Sequence, residues 1–164
     1  MTEGLKAEAK VLTHSAAVAL TRTLRSGCFK VVITNGCFDL IHAGHVRYLE
    51  AARCLGDILV VGVNTDWAVT ALKGPGRPIN PTANRALVLA ALACVSYVVP
   101  VDDVRVDTFI KDMKADVWVK GGDYTLESLD AGEVAAATQV GTKIEILPLV
   151  SGVSTTSILR KASP

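Results

Sequence analysis

The stretch VVITNGCFDLIHAGH, residues 31–45, decides the fold of this chain. Its first four residues, Val31 to Thr34, form an apolar run rich in β-branched side chains, which is typical of a central strand in a parallel sheet. A polar, glycine-containing segment follows, and after it apolar residues recur at helical spacing at Val46, Leu49, Ala52 and Leu55. The stretch therefore predicts a strand, a polar turn and a helix in succession.

The same alternation continues along the chain. The predicted strands are 30–34, 58–63, 97–101, 117–120 and 144–147, and the predicted helices are 13–26, 44–55, 81–93, 104–114, 132–139 and 155–161. Strands that alternate with helices at this spacing form right-handed βαβ units. We expect a Rossmann-like, doubly wound α/β fold: a single domain whose parallel sheet has helices on both faces. An N-terminal helical extension, 1–28, precedes the main domain, 29–164.

Composition excludes several classes of function. The 164 residues carry a net charge of +1, which gives no electrostatic reason to expect a nucleic-acid partner. The longest apolar runs are short and interrupted by charges, so no membrane span is expected, and residues 1–12 do not resemble a signal peptide. The four cysteines are widely scattered, which predicts reduced thiols in a cytoplasmic protein.

The polar segment falls where this fold class binds its ligands. In open parallel sheets, ligands lie beyond the carboxyl ends of the strands, near the point where the strand order reverses. Gly36 allows the backbone to turn there, and Gly44 allows a ligand to approach the start of the helix closely. A helix N-terminus attracts anions, and His42 and His45 flank its first turn. The segment therefore predicts a site for a phosphate that gains negative charge during a reaction.

Two alternatives to a phosphate site also fit the histidines. They are either polar residues of a helix surface, or zinc ligands together with Cys37, although the usual zinc spacings are absent. A dinucleotide site is disfavoured because no G-x-G-x-x-G follows the first strand. No P-loop sequence occurs either.

Two separate motifs resemble those of a known superfamily. The first is GCFDLIHAGHVRYL, residues 36–49, and the second is STTSILR, residues 154–160. Together they resemble the signatures of the H-x-G-H nucleotidylyltransferases. The stretches KGPGRPINP, residues 73–81, and KGGDY, residues 120–124, extend the likeness to the adenylyltransferase part of bacterial bifunctional heptose kinase/adenylyltransferases. That likeness covers about residues 29–162.

The resemblance implies a reaction and its partners. ATP, with Mg²⁺ as cofactor, would transfer AMP to the sugar 1-phosphate D-glycero-β-D-manno-heptose 1-phosphate, giving ADP-heptose for the lipopolysaccharide inner core and pyrophosphate. A separate heptose kinase would act upstream, and a homodimer is plausible from the family. The alternative is a cytidylyltransferase that acts on glycerol 3-phosphate or a related alcohol. A nucleotide-binding module without catalytic activity is a third class, disfavoured because both phosphate motifs are intact.

The resemblance also implies roles for individual residues. The expected catalytic residues are His42, His45 and Lys73, with no protein metal ligand assigned. The expected nucleotide-binding residues are Thr34, Asn35, Gly36, Cys37, Phe38, Gly44, Lys120, Gly121, Gly122, Asp123, Ser154, Thr155 and Thr156. The expected substrate-binding residues are Asp39, Asn64, Asp66, Arg77 and Arg85.

Several of these residues have a second possible role. Asp39 is either a structural cap or a group near magnesium and the phosphates. Lys73 belongs to a Gly/Pro-rich loop, 73–85, and is either a lysine that closes over a substrate or a solvated loop lysine. Gly121 and Gly122 leave space for a flat base or ribose. Trp67 and Trp118 are expected in the core rather than stacked on a base.

Overall fold

The strand that begins the opening stretch is the centre of the sheet. The structure, a computed structural model, describes residues 6–122 and 124–148. Its strands are β1 (Val31–Gly36), β2 (Ile58–Asn64), β3 (Tyr97–Val101), β4 (Val117–Gly121) and β5 (Lys143–Leu147). All pairings are parallel, in the order β3-β2-β1-β4-β5. The predicted parallel α/β fold is confirmed.

Helices connect the strands in the predicted alternation. They are α1 (His14–Ser26), α2 (Ala43–Arg53), α3 (Asp66–Lys73), α4 (Thr82–Ala91), α5 (Asp107–Met113) and α6 (Ala131–Val140), with short 3₁₀ helices at Ala7–Lys10 and Leu126–Ser128. The predicted helix 155–161 lies outside the described residues. The fifth helix begins at Asp107 rather than at residue 104, because Val106 accepts the first helical bond with its carbonyl, from the N–H of Ile110.

Alternate side chains of β1 pack on opposite faces of the sheet, since successive strand residues point in opposite directions. Val31 and Ile33 join a core formed with α1, α5 and α6, whereas Val32 joins a core formed with α2 and α4. All three side chains are fully buried. A strand buried on both faces needs a continuous apolar run, which explains why this part of the sequence carries no polar alternation.

The strand order reverses beside β1. The chain passes from β1 to β2 and β3 on one side, and β4 and β5 then extend the sheet on the other. The crevice expected for a ligand therefore lies at the carboxyl ends of β1 and β4. Gly36 and Gly121 are the last residues of these strands.

The N-terminal segment contributes to the core of the sheet. Ala17 of α1 is buried, and Val11 forms a parallel bridge with Val98 of β3. The Lys10 ammonium donates to the carbonyls of Ala90 and Val95, at 2.8 and 2.7 Å, near the end of α4. A cation at a helix C-terminus is stabilising because it faces the negative end of the helix dipole. The boundary at residue 28 stays a prediction, although α1 packs directly on the main domain.

Helix α3 was not predicted, and it changes the position of two residues. Lys73 is the last residue of this helix rather than part of the loop that follows. The prediction that Trp67 is a core residue is wrong: the helix buries the small side chains Ala68 and Val69, and Trp67 is 62% exposed. Trp118 is fully buried, as predicted.

None of the helices in the described part of the chain combines the length and the apolar content that crossing a membrane requires.

Candidate active site

His42 and His45 meet at the start of α2. His42 is the N-cap, with extended backbone angles, and its carbonyl accepts the N–H of His45 at 2.9 Å. The two imidazole rings lie with centroids 3.9 Å apart and planes inclined by 32°, and the Phe38 ring centroid lies 5.4 Å from that of His45. The H-x-G-H spacing places both rings beside the free N–H groups of the first helical turn.

Both histidines have a buried Nδ1 atom with no hydrogen-bond partner among the described residues. Burial lowers the pKa of His42 and lowers that of His45 from 6.5 to about 4, with a further contribution from the neighbouring His42. A buried polar atom without a partner costs free energy, so such atoms point to a ligand. A bound anion would favour protonation of the rings and supply the missing partner.

The end of β1 is fixed by bonds to α2 and β4. The Thr34 hydroxyl lies 2.6 Å from that of Tyr48, which donates to the carbonyl of Val119 at 3.0 Å. The Trp118 indole donates to the Asn35 side chain at 3.1 Å. Thr34 is fully buried, so its hydroxyl orders the strand pair, and its predicted contact with the nucleotide stays a prediction.

Asp39 organises the loop that follows α3. Its carboxylate accepts hydrogen bonds from Arg77 Nε at 2.6 Å, from Ile79 N–H at 2.8 Å and from Asn80 N–H at 3.0 Å. Burial alone would raise the pKa of Asp39, but the hydrogen bonds from Asn80, Arg77 and Ile79 outweigh burial and lower it. Of the two roles left open, the structure favours the structural one. Arg77 is held in place as the partner of this carboxylate.

Arg85 is buried and bonded to the protein on all sides. Its guanidinium donates to the carbonyls of Asn80, Cys37 and Asn64 at 2.8, 2.6 and 2.7 Å, and to the carboxylate of Asp66 at 2.7 Å. With 2% of its surface exposed, it has no free donor for a phosphate. Arg85 therefore positions the ends of β1 and β2, and the predicted contact with a substrate would require it to give up one of these bonds.

Asn64 and Asp66 belong to the same network. Asn64 donates its side-chain amide to the carbonyl of Asp103 at 3.2 Å, and the Asp66 carboxylate also accepts from the Thr82 hydroxyl at 2.7 Å. Burial opposes ionisation of Asp66, but the bonds from Thr82 and Arg85 outweigh it and lower the pKa. Half of the Asp66 side chain stays exposed, at 49%, so it remains accessible to a substrate hydroxyl.

The end of β4 departs from its predicted role. The space above Gly121 was expected to accommodate a base or ribose, but the Tyr48 ring fills it, and a Cβ on Gly121 would collide with that ring. The Lys120 ammonium pairs with Glu133 at 3.3 Å and lies over the rings of Trp118 and Tyr124. Gly122 has a positive φ of 131°, which favours glycine for conformational reasons.

The remaining predicted residues divide into two groups. The described ones are Gly36 and Cys37, which line the turn, and Gly44, which lies in the first turn of α2. Burial raises the pKa of the Cys37 thiol, which favours a packing role. The others, Asp123, Ser154, Thr155 and Thr156, lie outside the described residues, and their contacts with a nucleotide stay predictions.

Metal ligands do not gather at this site within the described residues, where no group of three or more His, Cys, Asp and Glu side chains could hold an ion. Cys37, His42 and His45 therefore do not form the zinc site considered from the sequence. Mg²⁺ often binds through substrate phosphates and water, with only one or two protein carboxylates. The partly exposed Asp66 carboxylate is compatible with that mode.

Sequence reasoning missed the supporting residues. Tyr48, Asn80 and Thr82 orient the turn and the loop, yet none of them stands next to a histidine or a strand end. The one signal for Tyr48 in the sequence was its spacing of three residues from His45, which places both on one side of α2.

Comparison with known proteins identifies the family of this chain. The model of the cytidylyltransferase-like family matches residues 33–161, which is most of the chain. Curated relatives include "Bifunctional protein HldE" from Vibrio atlanticus, 46% identical over 92% of this chain, and the protein of the same name from Pseudomonas fluorescens, 43% identical over 94%. This chain spans 31% and 32% of the length of those two proteins.

Solved structures share the fold. A lipopolysaccharide core biosynthesis protein from Thermoplasma volcanium is 25% identical, with a TM-score of 0.61, over 76% of this chain and 99% of its own. A pantoate–β-alanine ligase from Francisella tularensis, 13% identical with a TM-score of 0.58, covers 91% of this chain and 75% of its own and shows the fold alone. The family model covers most of the chain and includes the two histidines. The chain therefore belongs to the cytidylyltransferase-like family and is a nucleotidyltransferase.

Proposed function

We propose that this protein transfers AMP from ATP to D-glycero-β-D-manno-heptose 1-phosphate and releases pyrophosphate. The observation that carries the proposal is the pair His42 and His45 at the N-terminus of α2, whose buried Nδ1 atoms have no hydrogen-bond partner among the described residues. The heptose follows from the sequence likeness to the bifunctional relatives and from the lipopolysaccharide core protein among the structural neighbours. His42 and His45 support chemistry at a phosphate, and they do not select a sugar.

The site suits an in-line displacement at phosphorus. An oxygen of the sugar phosphate attacks the α-phosphate of ATP, the bond to the β-phosphate breaks, and pyrophosphate leaves. Because the attacking phosphate is already ionised, no strong general base is needed. The protein has to align the two phosphates and stabilise the charge that spreads over them.

His42 and His45 perform the second task. Their rings are neutral near pH 7 while they are buried without an anion, since burial lowers both pKa values. A phosphate beside the rings raises the pKa values again and converts the pair into charged donors. Stabilisation then grows with the negative charge of the transition state, which is the condition for a rate effect.

Lys73 and the loop that follows it would also act on the substrate. Lys73 ends α3, and the Thr70 hydroxyl of the same helix donates to the Arg77 carbonyl at 2.6 Å, which ties the helix to the loop. Mg²⁺ would enter with ATP and neutralise charge on its phosphates. Ser154, Thr155 and Thr156 would bind the leaving pyrophosphate.

The partners follow from the chemistry. A sugar 1-phosphate requires an upstream phosphorylating enzyme, which we propose is a separate heptose kinase, and a homodimer is proposed from the family. We place the reaction in the cytoplasm, where ATP is available. The four cysteines support a reducing compartment, because all of them are free thiols.

A cytidylyltransferase acting on glycerol 3-phosphate is the second candidate, favoured by the description of the matching family. Pyrophosphate release from ATP and CTP, each with heptose 1-phosphate or glycerol 3-phosphate, separates the two. We expect the ATP and heptose 1-phosphate pair to be fastest by a wide margin. Faster turnover of CTP with glycerol 3-phosphate would establish the second candidate, and no turnover with any pair would refute both.

A further inference from the structure

A cavity lies at the end of the sheet opposite to His42 and His45. It measures about 500 Å³ and is formed by the end of α1, the end of α5 and the segments that lead into β1 and β4. Lys30 and Asp116, which directly precede these two strands, both line it. Its volume falls within the range of small-molecule sites, roughly 300–1,000 Å³.

The cavity carries an excess of positive charge that the described part of the chain does not neutralise. Its two carboxylates are engaged: Asp116 with Arg25 at 3.3 Å and with the N–H of Val31 at 2.8 Å, and Asp112 with His14 at 2.8 Å.

Three further cations, Arg22, Lys30 and Lys114, line the same cavity. Within residues 6–122 and 124–148, the side chains of these three residues form no hydrogen bond or ion pair, although the backbone N–H of Lys30 donates to the Asp57 carboxylate at 2.7 Å. Like charges gathered in one concave site repel each other, and an anion removes that repulsion.

The ends of two helices shape the backbone around this cavity. Cys28 and Lys114 line it with positive φ angles of 64° and 44°, because each follows the last turn of a helix in the left-handed conformation that is common there. The turn at Cys28 is closed by the N–H of Phe29, which donates to the Leu24 carbonyl at 3.0 Å. Phe29 is consequently 49% exposed at the cavity rather than buried in the core.

We propose that this cavity binds a nucleoside monophosphate. Arg22, Lys30 and Lys114 hold the phosphate, since guanidinium and ammonium groups form charge-assisted hydrogen bonds to phosphate oxygens. Phe29 packs against the base, because an exposed aromatic ring beside a cationic cluster suits a ligand that is flat and apolar at one end. The site is separate from the nucleotidyl-transfer site, and it takes a ligand with a single phosphate.

Binding is tested with 5′-AMP as the probe and backbone amide NMR shifts as the readout. We expect saturable shifts at Cys28, Phe29 and Lys30 in the wild-type protein. The variant Arg22→Gln/Lys30→Gln/Lys114→Gln should bind AMP about tenfold more weakly or worse. The control variant Lys6→Gln/Arg105→Gln/Lys143→Gln loses the same three charges outside the cavity and should bind normally.

Two further measurements separate the phosphate from the base. Phe29→Ala should weaken AMP binding and leave the binding of inorganic phosphate at the same amides unchanged. Should the triple variant fail to fold, the single variant Lys30→Gln, at an exposed side chain, gives the same comparison. Shifts confined to residues 42–46, shifts that do not saturate, or equal weakening in the control variant would each overturn the proposal.

Discussion

Two groups of basic side chains lie at the same edge of the sheet, and they differ in how much of their hydrogen-bonding capacity the protein uses. Arg85 and Arg77 donate to carbonyls and carboxylates of neighbouring segments. His42 and His45 keep buried nitrogens without a partner in the described residues. A group that the fold has satisfied holds the site in shape, whereas an unsatisfied group is available for chemistry. Residue type alone does not make this distinction.

The histidines should give the largest effect when the comparison is tested by substitution. His45→Ala removes one preorganised donor, so we expect kcat to fall on the order of 10²–10³-fold, or roughly 3–4 kcal/mol, with a smaller change in ATP affinity. His14→Ala is the matched control, because His14 lies on α1 and pairs with Asp112. Steady-state kinetics of pyrophosphate release measures both. Equal losses in the two variants would contradict the assignment.

Arg85 should instead affect the folded state. Arg85→Met leaves the carbonyls of Cys37 and Asn64 without charge-assisted donors, so we expect a loss of about 3 kcal/mol in the free energy of unfolding. Arg85→Lys keeps the charge but not the fork of donors, and its stability should fall between those of the wild type and Arg85→Met. Urea unfolding measures the loss. A stable Arg85→Met protein with greatly reduced kcat would show that Arg85 takes part in catalysis.

The histidines and the carboxylates should affect the free energy of unfolding in different pH ranges. Burial lowers the pKa of His45 from 6.5 to about 4 and lowers that of His42, so the unfolded chain takes up protons first as the pH falls. The free energy of unfolding should therefore decrease between pH 6.5 and about 4.

The carboxylates act in a lower window. Asp39 and Asp66 have pKa values lowered from 3.8, so their stabilising contribution is lost only as the pH falls below that value. Urea unfolding of the wild type and of His42→Ala/His45→Ala across both pH ranges checks the assignment. The free energy of unfolding of the variant should depend less on pH than that of the wild type, but only above pH 4. Identical slopes would show that other groups dominate.

The smallest effect is expected at the loop. Asp39→Asn keeps an acceptor for the N–H groups of Ile79 and Asn80 but loses the ion pair with Arg77. We expect a loss of about 1 kcal/mol in stability and a several-fold rise in KM, since the loop is less well ordered. Arg77→Gln should resemble it, and the double variant should cost less than the sum of both. Additive losses would show that the pair is not coupled.

Sequence patterns predicted what depends on local chemistry. The apolar run 31–34, the glycines and the two histidines identified β1, the turn and α2 together, because each follows from spacing within a few residues. Helix α3 was missed because Asp66–Lys73 follows β2 without a loop, and its short apolar face resembles a strand extension.

The hydrogen bonds and packing contacts of individual side chains could not be predicted in the same way. The bonds of Arg85 reach residues 21 and 48 positions away, and the Tyr48 ring that covers Gly121 lies on another element. Long-range contacts of this kind arise from packing, and a sequence pattern records only that an arginine or a glycine is present. The bonds of Arg85 and the ring over Gly121 were therefore not foreseen, and the predicted contacts of Arg85 with the substrate and of Gly121 with the nucleotide stay predictions.

The bonds of Lys10 determine how this domain can be shortened for expression. A fragment that begins at residue 29 would retain the family motifs, yet it would lack Lys10, the bridge from Val11 to Val98, and Ala17 in the core. The face of the sheet under α1 would then be open to water, and exposed apolar surface of this kind promotes aggregation. A fragment that begins at residue 6 keeps all of these contacts, so it is the shorter form that should remain in solution.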